Sequence, residues 1–132
     1  MRQEKLERLR HLDKEIDTLE QIKAKLEIRI RRASASPFTN ETKTTKKQSG
    51  MDELIVKLTD LRDEYEQKIK ELVSLQLEFE SFIEGISDRS LKSILRYRYV
   101  AILSWETIEK RMNISRRTIG RMVEEFFESH ST

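Results

Sequence analysis

Arg116, Arg117 and Arg121 stand near the start of the stretch NISRRTIGRMVEEFFES, residues 113–129, and Glu124, Glu125 and Glu128 stand near its end. Ile119, Met122, Val123, Phe126 and Phe127 recur at three- and four-residue steps, so the stretch reads as a helix with one buried face. The peptide dipole leaves a helix start partly positive and its end partly negative, and a terminal charge of the wrong sign costs roughly 0.3–1 kcal/mol. Here the bases come early and the acids late. At about 100° per residue, Arg117 and Arg121 point away from the apolar face, and Arg116 and Gly120 flank them. Such a helix suits a polyanion that meets its cationic first half and neutralises it. Double-stranded DNA is that polyanion: a recognition helix presents its N-terminal side chains to base edges, and the arginine fork matches guanine O6 and N7. Arg116, Arg117 and Arg121 are thus expected at or near bases, with Ser115 and Thr118 near phosphates.

The residues just upstream extend the pattern. Ser104 is placed to cap a helix over about 105–112, Asn113 takes the turn position where a left-handed conformation is expected, and Ser115 caps the helix that follows. Two helices joined by a turn at residues 113–115 have the helix-turn-helix spacing. Ser104, Trp105 and Thr107 lie where unpaired backbone N–H groups favour a phosphate, and Lys110 and Arg111 add charge. From Lys92 to Arg121 there are eight Lys/Arg and two Asp/Glu, a basic footprint suited to nucleic acid. Plainer readings stand beside these. Trp105 is as well placed to be a lid on a small core, Gly120 serves either close approach to DNA or no role at all, and Arg98, at the edge of an apolar stripe, is expected to pair with Glu106 or Glu109.

What must carry this module is helical. Residues 1–32 place Leu9, Leu12, Ile16, Leu19, Leu26 and Ile30 in a heptad pattern broken by Lys23; residues 51–86 repeat it from Met51 and Leu54 to Phe82 and Ile86, broken by Lys68. Between them ASASPFTNETKTTKKQSG, residues 33–50, holds the only Pro and is expected to be a flexible linker. The net charges of 1–32, 33–50, 51–86 and 87–132 are +3, +2, −6 and +3, so the basic first helix is expected to lie antiparallel to the acidic second in a hairpin, although the linker is long enough for a parallel or interchain pairing instead. Asp88 is a plausible N-cap for a third helix that begins the domain 87–132. The expected architecture is all-α: a long coiled-coil hairpin followed by a small C-terminal helix-turn-helix domain. The coiled coil is further expected to build a homodimer or higher homo-oligomer.

Composition narrows the remaining classes. The 132 residues are 38% charged, with three Gly, one Pro and no Cys. Such usage fits long helices, and it removes disulfides, zinc–thiolate sites and cysteine nucleophiles. His11 and His130 are isolated and suggest no metal or other cofactor. No apolar run approaches the ~18 residues of a membrane span, nor does the start resemble a secretory signal, so a cytoplasmic protein is expected. No His stands near a Ser nucleophile and no glycine-rich phosphate loop exists, which argues against an enzyme.

The run ILRYRYVAILSWETIEKRMNISRRTIGRM, residues 94–122, resembles the promoter-reading region 4 of bacterial sigma factors. It shares a Leu-Arg-x-Arg-Tyr helix, a Ser-aromatic-Glu start and an Ile-Ser-x-x-Thr turn. The whole arrangement is similar to small phage regulators of late transcription, of the RinA and ArpU type. That likeness implies that residues 115–121 read DNA and that Ser104 to Thr107 touch backbone. It departs from those families at Glu109, where a small residue is usual, and at Asn113, where glycine is usual. The leading expectation is a sequence-specific transcriptional regulator of phage or prophage type, with RNA polymerase a further candidate partner. A small-terminase-like packaging protein and a coiled-coil adaptor are the rivals.

Overall fold

The structure, a computed structural model, describes the backbone of residues 1–34 and 41–130 and the side chains of 1–34 and 50–130. The described residues are all-α. They form α1 (Gln3–Ser34), α2 (Glu41–Glu84), α3 (Arg89–Tyr99), α4 (Trp105–Met112) and α5 (Arg116–His130). The expected linker 33–50 is therefore shorter than its composition suggested: α1 runs through Ser34 and α2 begins at Glu41 rather than Met51. Residues 35–40, which include Pro37, lie outside the described residues. No helix among the described residues is long and apolar enough to cross a membrane.

The chain divides into two compact units, one of Glu15–Lys70 and one of Met1–Lys14 with Glu71–Thr132. In the first, α1 and α2 run antiparallel, with Glu15 on Lys68 at 2.7 Å, Glu20 on Tyr65 at 2.7 Å and Glu27 on Arg62 at 3.3 Å. Ile16, Leu19, Leu26 and Leu58 are buried there. The two polar breaks in the heptads find their reasons in this unit. The Lys23 ammonium lies 4.4 Å from the centre of the Tyr65 ring, and Lys68 reaches across to Glu15. Each break is matched by a polar or aromatic partner on the opposite helix, which favours one register over its neighbours.

The second unit contains α3, α4 and α5 together with the first turns of α1 and the last turns of α2. Its core draws on all five helices: Leu6 and Leu9, Phe79 and Ile83, Ile94, Leu95 and Tyr99, Ile108, and Ile119 and Val123 are buried. Fully burying one such side chain contributes about 1.5–3 kcal/mol. Residues 87–132, expected to form a domain of their own, share a compact unit with parts of α1 and α2. Here too α1 and α2 are antiparallel, with Lys5 on Glu78 at 2.9 Å and Arg8 making two 3.0 Å hydrogen bonds to the Glu71 carboxylate. These pairs are solvent-exposed and each is worth roughly 0–1 kcal/mol, so the apolar core carries the association.

Local chemistry sets the ends of the short helices. The Asp88 carboxylate accepts from the Ser90 and Leu91 amides and so starts α3. After α3 the chain turns through Ile102, whose φ of 57° is left-handed. That conformation costs a non-glycine residue roughly 1–2 kcal/mol. It allows the Leu103 amide to donate back to the Tyr97 carbonyl at 2.9 Å, and it brings the Leu103 carbonyl to Arg98.

Candidate functional site

Two serines of the same design fix α4 and α5. Ser104 Oγ accepts from the Thr107 amide at 3.2 Å and lies 2.9 Å from Thr107 Oγ1. Ser115 Oγ accepts from the Thr118 amide at 3.3 Å and lies 2.9 Å from Thr118 Oγ1. Between the helices Asn113 sits at φ 54° and ψ 39°, the left-handed conformation expected of it, and ends α4. The connection is a helix-turn-helix. Ile108 of α4 and Ile119 and Val123 of α5 are buried in the shared core, which leaves the far face of α5 to solvent.

On that far face Arg116, Arg117 and Arg121 are exposed, and none has a carboxylate within ion-pair distance among the described residues. They are cations at the wrong end of a helix dipole without compensation from within the chain. An open cleft of about 880 Å³ runs beside them, lined by Trp105, Arg116, Arg117, Thr118, Gly120 and Arg121, with Ile119 and Val123 below and Glu124 at one end. Six of the ten residues singled out from the sequence thus line one cleft. Ser104, Thr107, Lys110 and Ser115 do not: the serines and Thr107 are engaged in capping, and the exposed Lys110 lies 3.5 Å from Glu106 one turn earlier.

The cleft has one member that the sequence did not announce. Gln3, in the first turn of α1, is part of its lining. Nothing in the local sequence could have marked it, since it lies more than a hundred positions from α5.

Trp105 is half-buried and serves two neighbourhoods. The Arg98 guanidinium lies 4.4 Å from the centre of its ring, and Arg98 Nη1 donates to the Leu103 carbonyl at 3.2 Å. The expected pairing of Arg98 with Glu106 or Glu109 does not form. The turn at Ile102 swings a backbone carbonyl and the Trp105 ring to the guanidinium first, and only 9% of Arg98 stays exposed. Burial, then the nearby Arg10, lowers the pKa of Arg98 from its ordinary value, Arg116 adding to the effect and Glu7 opposing it. Tyr99, next along α3, donates its hydroxyl to Glu7 at 3.2 Å, and burial together with that carboxylate raises its pKa above the ordinary tyrosine range. Arg98 and Tyr99 therefore tie the wall of the cleft to both the α3–α4 turn and α1.

Chemically, the cleft brings together three guanidiniums without a carboxylate partner, the Trp105 side chain and the polar groups of Gln3 and Thr118, with the Glu124 carboxylate also in its lining. Among the described residues no group of three or more His, Asp or Glu side chains is placed to hold a metal ion. No curated protein and no solved structure matches the chain. A family model described as "Protein of unknown function (DUF1492)" matches residues 32–128, well over half of the chain, and the chain belongs to that family.

Proposed function

We propose that this protein is a sequence-specific, double-stranded-DNA-binding transcriptional regulator of phage or prophage type, working in the cytoplasm. One observation carries the reading: Arg116, Arg117 and Arg121 occupy the exposed first half of α5, unpaired, on the second helix of a helix-turn-helix. An intramolecular role would have folded these guanidiniums onto carboxylates. Leaving three cations unpaired against the dipole costs stability that only an external anion returns. Phosphates return it, and the arginine forks then face base edges. Capping by Ser104 and Ser115 fixes the angle at which the two helices leave the turn, so these serines shape the interface from behind. In a homodimer two such helices would meet half-sites about 34 Å apart on one face of the duplex.

Selection from a pool of random duplexes tests this. The purified chain should enrich one motif, and its affinity should fall steeply between low and physiological salt, with a log–log slope of about −0.9 per phosphate contacted. Absence of duplex binding even at low salt would remove the proposal.

A further inference from the structure

The cleft beside α5 has a second wall, and the first turn of α1 supplies it through Gln3. A helix with its side chains is about 10–12 Å across and the major groove of DNA about 12 Å wide, so a helix seated in the groove fills it. Whatever stands alongside that helix then faces the phosphate ridge bounding the groove. The start of α1 stands there. Arg116 and Gly120 are one helical turn apart and so lie on the same flank of α5, and both share the cleft lining with Gln3.

Gly120 gives this flank its shape. Glycine is among the poorest helix formers, yet it occupies the interior of α5. A Cβ built there would meet nothing within 4 Å, so no packing inside the protein requires its absence. The flank of α5 at Gly120 is therefore open, with room for a partner to approach the helix backbone closely. Gln3 is exposed and uncharged, and its amide can donate two hydrogen bonds to phosphate oxygens without adding to the charge of the site.

We infer that the cleft between the first turn of α1 and α5 seats the sugar–phosphate backbone of one DNA strand, with Gly120 at the point of closest approach and Gln3 as a donor to phosphate. The inference rests on the DNA-binding reading above and adds α1 to the interface.

Full-length Gly120→Gln and Gln3→Glu variants test it, with Arg117→Ala/Arg121→Ala as reference and a mixed-sequence duplex pool at low salt as probe. Gly120→Gln should raise the melting temperature, because it improves helix propensity and fills open space, while its affinity for the pool drops. Each of the two variants should lose about tenfold in affinity, across all sequences alike, from a side chain or a like charge set against phosphate. Wild-type affinity in both, with the arginine reference weakened, would overturn this inference and leave the DNA-binding reading standing. A loss confined to particular sequences would put a base and not the backbone in the cleft, and would overturn it too. If the unaltered protein binds no duplex, both fall together.

Discussion

The guanidinium of Arg98 lies 4.4 Å from the centre of the Trp105 ring, and it holds that ring at the edge of the cleft on α5. The same group donates to the Leu103 carbonyl, so one buried cation fixes both the α3–α4 turn and the cleft wall.

Removing that cation should be costly. A partly desolvated cation–π contact is worth ~1–2 kcal/mol and a charged hydrogen bond to a buried carbonyl ~1.5–3 kcal/mol, the two overlapping in part. Arg98→Ala should lower stability by about 2–4 kcal/mol in urea unfolding, and Arg98→Lys by less, since it keeps the charge but loses the planar fork. Equal losses in both variants would show that the fork is not what matters.

Stability should also fall in alkali. The folded pKa of Tyr99 is raised above the ordinary value, by burial and then by Glu7. The native state therefore holds the phenolic proton after the unfolded state has released it. That contribution is complete below the unfolded tyrosine pKa of about 10 and is lost as pH rises above it. Denaturation midpoints should decline from about pH 10 upward. Tyr99→Phe should reduce the decline without abolishing it, because Tyr65 beside Glu20 is raised in the same direction. An identical pH profile in Tyr99→Phe would contradict the assignment.

The caps should be measurable one at a time. Ser104→Ala and Ser115→Ala each remove an acceptor for a helix-start amide and should cost about 1 kcal/mol, typical of an N-cap. Because the two sites lie at different helices and share no partner, the double variant should show nearly additive loss in thermal unfolding.

Lys68 invites the opposite change. It occupies a heptad position of α2 and is about one-fifth exposed, paired with Glu15 at 2.7 Å. Replacing both partners, Lys68→Leu with Glu15→Leu, should raise stability by about 1 kcal/mol, since apolar side chains of similar volume avoid the desolvation of the ion pair. The gain should come with looser register, seen as broadened exchange in the amides of α1 and α2. A loss of stability would show that the ion pair outweighs apolar packing.

Much of this architecture was readable in the sequence because it is set by short-range chemistry. Asp88, Ser104, Asn113 and Ser115 each act on backbone within three residues, so the starts of α3 and α4 and the turn before α5 followed from local rules. The apolar stripes named a buried face for every helix. They could not say which helix would cover it. That Leu6, Leu9, Phe79 and Ile83 join the core of the C-terminal module is a long-range outcome, and so is the place of Gln3 in the cleft. The left-handed Ile102 was hidden for another reason: a β-branched residue disfavours that conformation, and only the surrounding packing imposes it. That turn is also why Arg98 meets Leu103 and Trp105 and not Glu106 or Glu109. The start of α2 at Glu41 is not legible in composition, because the Ser, Thr and Lys of residues 43–49 read as a loop while the backbone there continues a helix anchored further along.

The proposed role of the exposed arginines of α5 is to read base edges. Duplex selection with wild type and Arg117→Ala tests it most directly. Wild type should enrich one motif, and the variant should show a relaxed preference at one or two positions, worth about 1–3 kcal/mol of discrimination. The same motif recovered with undiminished preference from Arg117→Ala would contradict it.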